Sequence, residues 1–393
     1  MGEQRADITG RAGRYVPQSG GHRTFSPAPL PPDPPLVLDG PLQVQLSAAD
    51  RALGRLDGSV QTLPNPDLFV FMYVRKEAVL SSQIEGTQSS LHDLLAAEAD
   101  LLTPLPNDVD EVVNYVAAMK HGLSRLDELP VSVRLIRETH ERLLRGVRGG
   151  KLTPGELRQT QSWIGPSGCG LNNATFVPPP PQDVPEALAQ LERFLHDGDD
   201  LPDLIKIGLA HAQFETIHPF LDGNGRVGRL LITFLLTERL LLAKPVLYLS
   251  HFFKRHRSEY YDRLQAVRDR GDWEAWLEFF LRGVTNVCAE AAETARRILE
   301  LRELHRARIT EELDRSAAKG HRVLESLFDR PIVSVADVQE ITGTTYVAAN
   351  NLTRRMGELG IFSEITGNAR NRRFRYEPYV ALFLDDGPGV ASS

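Results

Sequence analysis

The stretch His218-Pro219-Phe220-Leu221-Asp222-Gly223-Asn224-Gly225-Arg226-Val227-Gly228-Arg229 decides how the rest of the chain is read. It joins two apolar-periodic segments, Leu204 to Ile217 and Gly225 to Leu242, and so is a turn between two predicted helices. Gly223, Gly225 and Gly228 permit backbone conformations that turn successive N–H groups inward, and the helix that follows adds the positive end of its dipole. The pattern is an anion cradle. Arg226 and Arg229, three apart, project to one side of that helix and can grip terminal phosphate oxygens. Asp222 places a carboxylate beside the cradle, where it would repel phosphate unless a divalent cation lay between them, and Mg²⁺ is the hard, oxygen-seeking choice. His218, at the mouth, has a pKa suited to accepting a proton at neutral pH. The expectation is a nucleotide bound with its metal, and an attacking hydroxyl that gives its proton to His218. A packed core needs none of these groups, which makes their concentration in one turn specific.

The surrounding composition is ordinary. The chain has 393 residues, enough for two or three domains, with 41% hydrophobic and 25% charged residues, so it can bury a sizeable core. Asp plus Glu exceed Lys plus Arg by 52 to 45, for a net charge of -7, which excludes a wholly basic nucleic-acid coat but leaves room for a local basic patch. Cys169 and Cys288 form no metal-binding spacing, and a reducing cytosol is the expected compartment. The longest apolar stretch, Leu230 to Leu249, is broken by Glu238, Arg239 and Lys244, and no signal peptide opens the chain, so a soluble cytoplasmic protein with no membrane contact is expected.

Working outward, residues 1 to about 45 are rich in Gly, Arg and Pro, which favours an extended, polyproline-like segment that wraps or dangles. Ser47 is predicted to cap a helix over Ala48 to Leu56, followed by one helical run from Asp67 through Leu80 to Leu95, then Val109 to Leu123 and Ser132 to Leu144. Trp163-Ile164 and Thr175-Phe176-Val177 are β-like pieces separated by glycines and asparagines, predicting a hairpin. Helices resume at Val184 to Leu195, and Ser258 to Gly283 is read as helical, with a long connecting helix over 284–316. Beyond it, His321 to Phe328 is a short helix. Ser334 caps Val335 to Ile341 with Asp337 in the reciprocal position, Gly343 turns the chain, and Thr345 to Leu359 is a second amphipathic helix. Strands at Ile361 to Ile365 and Arg373 to Tyr376 complete a predicted winged helix-turn-helix.

The turn resembles the signature of the Fic-domain family: a histidine, Pro-Phe, an acidic residue, Gly-Asn-Gly-Arg and a second arginine, with every position filled. The resemblance spans roughly residues 45 to 380. It implies a mainly α-helical Fic fold with a β-hairpin flap and a C-terminal winged helix. It also implies transfer of AMP from ATP to a Ser, Thr or Tyr hydroxyl of a protein, with release of pyrophosphate. By the same resemblance His218 is the base and Asp222 holds Mg²⁺. Gly223, Asn224, Gly225, Arg226, Val227, Gly228 and Arg229 form the nucleotide-binding segment, with both arginines on the β- and γ-phosphates. Upstream, Ser81-Ser82-Gln83-Ile84-Glu85-Gly86 resembles the family's inhibitory motif, so Ser81, Glu85 and Gly86 are expected to brake the enzyme in cis, with Glu85 paired to Arg229 in the place of a γ-phosphate. In some relatives the same glutamate assists removal of AMP. Tyr260 is the candidate for the nucleoside side of the pocket.

The hairpin from Gln161 to Val177 resembles the Fic flap, expected to hold a target protein by strand addition along Trp163 to Val177. The implied organisation is a proline-rich segment (1–45), an N-terminal helical region with the inhibitory motif (46–130), a catalytic core (131–283), a connecting helix (284–316) and a winged-helix domain with tail (317–393). Self-modification and a homodimer follow from the resemblance alone. Another donor, such as UMP, phosphocholine or a terminal phosphate, and de-AMPylation are alternatives within the fold. Arg354, Arg355, Arg370, Arg372, Arg373 and Arg375 make the C-terminal module basic, so a DNA-binding regulator is the alternative of another class.

Overall fold

The computed structural model describes residues 10–61, 63, 66–99, 101, 108–166, 168–198, 200–368 and 370–384; the first nine residues of the proline-rich segment and the tail after 384 lie outside them. The N-terminal segment is more ordered than its prolines suggest. Strands β1 (Gly13–Pro17) and β2 (Arg23–Pro27) pair antiparallel, with Tyr15 opposite Phe25, and only after them does the chain run extended. Gly13, at φ +135°, is required here, because a side chain would strike the Ser26 and Pro27 backbone.

Helix α1 (Gly40–Gln61) begins well before Ser47, whose hydroxyl accepts from Arg51 rather than capping a helix. The predicted run to Leu95 is two helices, α2 (Pro66–Ile84) and α3 (Leu91–Glu98). They part because Gly86 takes φ +99°, a conformation that ends a helix and that L residues avoid, and Ser90 then restarts the chain through a capping box with Asp93. Next come α4 (Val109–Arg125) and α5 (Val133–Leu143), the latter capped by Ser132. Among the described residues the expected flap hairpin reduces to one antiparallel bridge, Ile164 to Phe176, around a 3₁₀ turn at Leu171–Asn173.

After α6 (Val184–His196), helices α7 (Asp203–Ile217) and α8 (Asn224–Glu238) form the central hairpin of the core and are buried along almost their whole length. Helix α8 stops short of Leu242 because Leu240 turns to φ +54°. Helices α9 (Ser250–Arg255) and α10 (Arg257–Arg270) follow. Gly271, at φ +67°, separates α10 from the 40-residue α11 (Trp273–Glu312), so the break in this region falls at 271–272 and α11 runs without interruption through 283–284. Trp273 and Trp276 on α11 are both buried, and the Trp276 indole donates to the Gly208 carbonyl at 2.8 Å where α11 crosses α7.

The C-terminal part comprises α12 (Ala317–Ser326), β3 (Ile332–Ser334), α13 (Val335–Thr342), α14 (Tyr346–Glu358), β4 (Ser363–Glu364), β5 (Arg373–Arg375) and α15 (Glu377–Val380). The Ser334 and Asp337 capping box and the left-handed Gly343 are as the sequence predicts. Strand β3 goes beyond the prediction, and the sheet has the order β3-β5-β4.

Candidate active site

The turn between α7 and α8 is held from outside itself. His218 caps α7 in a left-handed conformation, φ 49° and ψ 62°, which a non-glycine residue keeps only when its surroundings compel it. Arg158, fully buried, supplies much of that compulsion: Nε donates to the His218 carbonyl at 2.8 Å and Nη2 to the Pro179 carbonyl at 2.5 Å, while its own N–H donates to the Pro219 carbonyl at 3.0 Å. From α5, His140 stacks flat on Phe220, with centroids 3.7 Å apart. Its Nδ1 accepts from the Gly155 N–H at 2.8 Å, so the proton is on Nε2, which donates to the Asp222 carbonyl at 3.0 Å. Burial pushes the His140 pKa down to about 4. Asn224 closes the turn internally, its amide pairing with both the N–H and the carbonyl of Phe220 at 2.9 and 2.8 Å. Its side chain is therefore a strut of the cradle.

On this frame stands the imidazole of His218. Burial first, then the cations Arg268 and Arg158, push its pKa down to about 3, against the opposing pull of Glu85 and the Glu215 backbone. The ring is thus neutral at physiological pH, as an acceptor of protons must be.

The cradle at the N-terminus of α8 is filled by a carboxylate. Gly225 has no room for a side chain because the Glu85 carboxylate rests there. Glu85 Oε1 accepts from Arg229 Nη2 at 2.8 Å, and the same guanidinium donates through Nε to the Ser81 hydroxyl at 2.8 Å and through Nη2 to the Ser81 carbonyl at 2.9 Å. Burial would raise the Glu85 carboxyl, but the charge and hydrogen bond of Arg229, with the charge of Arg226, hold it below its usual range. Gly86, directly after Glu85, makes the turn that ends α2 at this point.

Arg226 meets Glu111 of α4: the two are buried and 3.2 Å apart, and Arg226 is 3.6 Å from Asp222. Asp222 itself is one-third exposed, and its Oδ1 accepts from the Gly223 N–H at 2.6 Å. It is the one carboxylate of the turn able to hold a cation. Among the described residues no three His, Cys, Asp or Glu side chains are gathered for a metal. One carboxylate with substrate phosphates is, however, a common way to hold Mg²⁺. Val227 is buried, and Gly228 admits no side chain because the Glu215 carboxylate lies against it. Burial pushes Glu215 up to about 7, Arg229 acting against that. Tyr260 is part of the aromatic core beside Phe253 and Trp276, and its hydroxyl is 2.9 Å from His211 Nε2. Since His211 Nδ1 must donate to the Gly228 carbonyl, Nε2 accepts from Tyr260. Tyr260 lines the cleft all the same, beside the more exposed ring of Tyr261.

His218, Glu85, Gly225 and Arg229 face an open cleft of about 640 Å³. Its walls are the flap, from Trp163 to Pro166 with Thr175 and Phe176, and the face of α10 that bears Tyr261, Gln265 and Arg268. Glu111, Arg158, His140 and Glu215 were not singled out from the sequence. Three carried a readable signal, a polar residue on the buried stripe of a helix: Glu111 beside Val112, Tyr115 and Val116; His140 beside Ile136 and Leu143; Glu215 between Phe214 and Ile217 on the apolar α7. Arg158 lies in irregular chain and carried none.

Residues 43–124 match the model described as Fic/DOC family N-terminal, and residues 130–236 match the model described as Fic/DOC family. The protein adenylyltransferase Fic of Drosophila grimshawi is 29% identical over 196 residues, covering 49% of this chain and 36% of that protein, and its Drosophila melanogaster counterpart is 28% identical over 196 residues, covering 49% and 35%. The chain thus spans about a third of the length of these curated relatives. Among solved structures, a Fic family protein from Desulfovibrio desulfuricans G20 superposes with a TM-score of 0.58 at 20% identity, covering 87% of this chain and 97% of that one. A Fic domain containing signaling protein from Bacteroides thetaiotaomicron gives 0.50 at 17%, covering 65% and 97%. The fold is the Fic fold. Among the described residues no helix is long and apolar enough to cross a membrane.

Proposed function

We propose that this protein is a protein adenylyltransferase that moves AMP from ATP to a Ser, Thr or Tyr hydroxyl of a protein and is held inactive by Glu85. The observation that carries the reading is the Glu85 carboxylate lying on Gly225 at the N-terminus of α8 and paired with Arg229. An anion of the chain's own occupies a site whose exposed N–H groups, dipole and guanidinium suit a phosphate, so carboxylate and triphosphate compete for one place.

With Glu85 withdrawn, the reaction is an in-line displacement at the α-phosphorus. The acceptor oxygen forms a bond to phosphorus, the bond from the α-phosphorus to the bridging oxygen breaks, the hydroxyl proton passes to the His218 imidazole, and pyrophosphate leaves. His218 is neutral and so able to accept; burial that weakens it as a base is offset when an anionic nucleotide lies beside it. Arg229, released from Glu85, orients the departing phosphates. Arg226 serves the same charge only by sharing its guanidinium with Glu111. Mg²⁺, when bound to Asp222 and the phosphates, would supply the charge neutralisation that the arginines leave incomplete.

The flap supports an acceptor held as an extended strand, with Trp163 43% exposed beside the cleft. We read the C-terminal module as a winged helix that docks protein in preference to DNA, because most of its basic cluster is engaged: Arg372 donates to Asn350 at 2.7 Å, Arg373 faces Asp337, Arg375 pairs with Glu377, and Arg355 donates to the Glu312 carbonyl. Isotope placement tests the transfer. Glu85→Gly protein incubated with Mg²⁺ and ATP should take up label from the α-phosphate and none from the γ-phosphate; uptake from the γ-phosphate would instead make it a kinase-like phosphotransferase.

A further inference from the structure

The N-terminal hairpin lies ahead of the residues that match either family model, and it touches both walls of the cleft. On one side, the Phe25 N–H donates to the Val177 carbonyl at 2.9 Å, and its buried ring lies 5.9 Å from that of Phe176. Phe176 is bridged in turn to Ile164, so β1, β2, the 176–177 segment and Ile164 stand side by side. The hairpin thereby takes up the Val177 side of the flap, the side away from Ile164. On the other side, the Tyr15 hydroxyl donates to Asp269 at 2.7 Å and accepts from Gln265 Nε2 at 3.1 Å, both on α10. Between the two contacts Arg268 of α10 lies 3.9 Å over the Phe176 ring. The hairpin is anchored apart from the walls: Arg11 makes a forked pair with Glu274 at the start of α11, and Gln213 of α7 donates to the Ala28 carbonyl at 2.8 Å.

A loop carrying a single β-bridge has little rigidity of its own. Here the span from flap to α10 is set by an outside piece fastened to α7, which His218 caps, and to α11, which crosses α7 at Gly208. We infer that the β1–β2 hairpin is a brace across the cleft, and that Phe25 and Tyr15 are positioning residues that hold the acceptor-binding flap in register with His218. This inference rests on the transferase reading for its effect on activity, though not for its effect on the flap.

The test uses full-length Glu85→Gly protein with Phe25→Ala or Tyr15→Phe added, neither residue touching the reacting groups. Amide hydrogen exchange over 163–177 should quicken about tenfold with Phe25→Ala and less with Tyr15→Phe, with protection in α7 and α8 unchanged. Self-modification at saturating ATP should fall about tenfold with Phe25→Ala while the ATP dissociation constant moves less than about twofold, because only acceptor positioning is lost. Unchanged flap exchange in both variants would overturn the brace, as would an equal loss of protection throughout α7, α8 and α10. If Phe25→Ala does not fold, Tyr15→Phe decides alone. A parent protein that gains no label from ATP would sink the transferase reading while the exchange arm still judges the brace.

Discussion

Two sets of arginines, chemically identical, behave differently in this molecule. Arg226 and Arg229 are buried and reach carboxylates 115 and 144 residues away, Glu111 and Glu85. Arg354 pairs with Glu358 one helical turn along, both exposed, and Arg375 with Glu377 two residues on. A guanidinium kept from water must be compensated, and compensation from a distant segment locks two elements together. A guanidinium in water needs no such partner, and pairing with its sequence neighbour adds little. Burial with a remote anion also describes the Arg11–Glu274 anchor; what marks the first set as a site in waiting is that its anions sit at the glycine turn opening α8.

This contrast can be broken or sharpened by substitution. His218→Ala should lower ATP-dependent modification of the Glu85→Gly protein by about 10³-fold, the middle of the range for loss of a general base, with the melting temperature unchanged within a few degrees. Arg158→Ala should destabilise by about 3 kcal/mol in denaturant unfolding, since several buried carbonyls lose a charged donor. A loss comparable to that of a surface arginine would show that the turn holds itself. Glu85→Gly should raise modification about 10- to 100-fold, the equivalent of one charge-assisted buried bond, and Ser81→Ala should act in the same direction by about fivefold.

Acid should expose the buried histidines. His140, His211 and His218 have pKa values pushed down to about 4, 3 and 3, below the usual 6.5, so the unfolded chain binds protons that the native protein does not and stability falls as pH drops below 6.5. Glu77 and Glu215, raised to about 7, act oppositely between pH 4.5 and 7, where the native state holds the extra protons. Below about 4.5 that opposition ends, and each histidine that remains neutral costs about 1.4 kcal/mol per pH unit. The melting temperature should therefore fall more steeply below pH 4.5 than above it; a uniform slope would contradict the burial of neutral imidazoles. The smallest effect belongs to the exposed set: Arg354→Ala should change stability by less than about 0.5 kcal/mol.

The turn was legible in sequence because its residue types are its chemistry: His218, Asp222 and the glycines have no other economical use in a helical core. Contact between Glu85 and Arg229 was legible only through resemblance, since nothing in periodicity joins residues 144 apart. Glu111 and Arg158 escaped because their importance lies in what they touch across the fold. The N-terminal hairpin escaped for a different reason. Its prolines outweighed two short strands around Gly20-Gly21, and the partners that make those strands stable, Phe176 and Asp269, lie far along the chain. The long α11 was divided in the wrong place because Gly271 at φ +67° ends α10, whereas Gly283, packed on Phe252, is a close helix contact.

The most direct test of the central claim is the intact mass of three full-length proteins after incubation with ATP and Mg²⁺: wild type, Glu85→Gly, and Glu85→Gly with His218→Ala. The account predicts a gain equal to AMP that is largest in Glu85→Gly, small in wild type and absent from the double variant. Equal gains in all three, or a gain that survives the loss of His218, would contradict it.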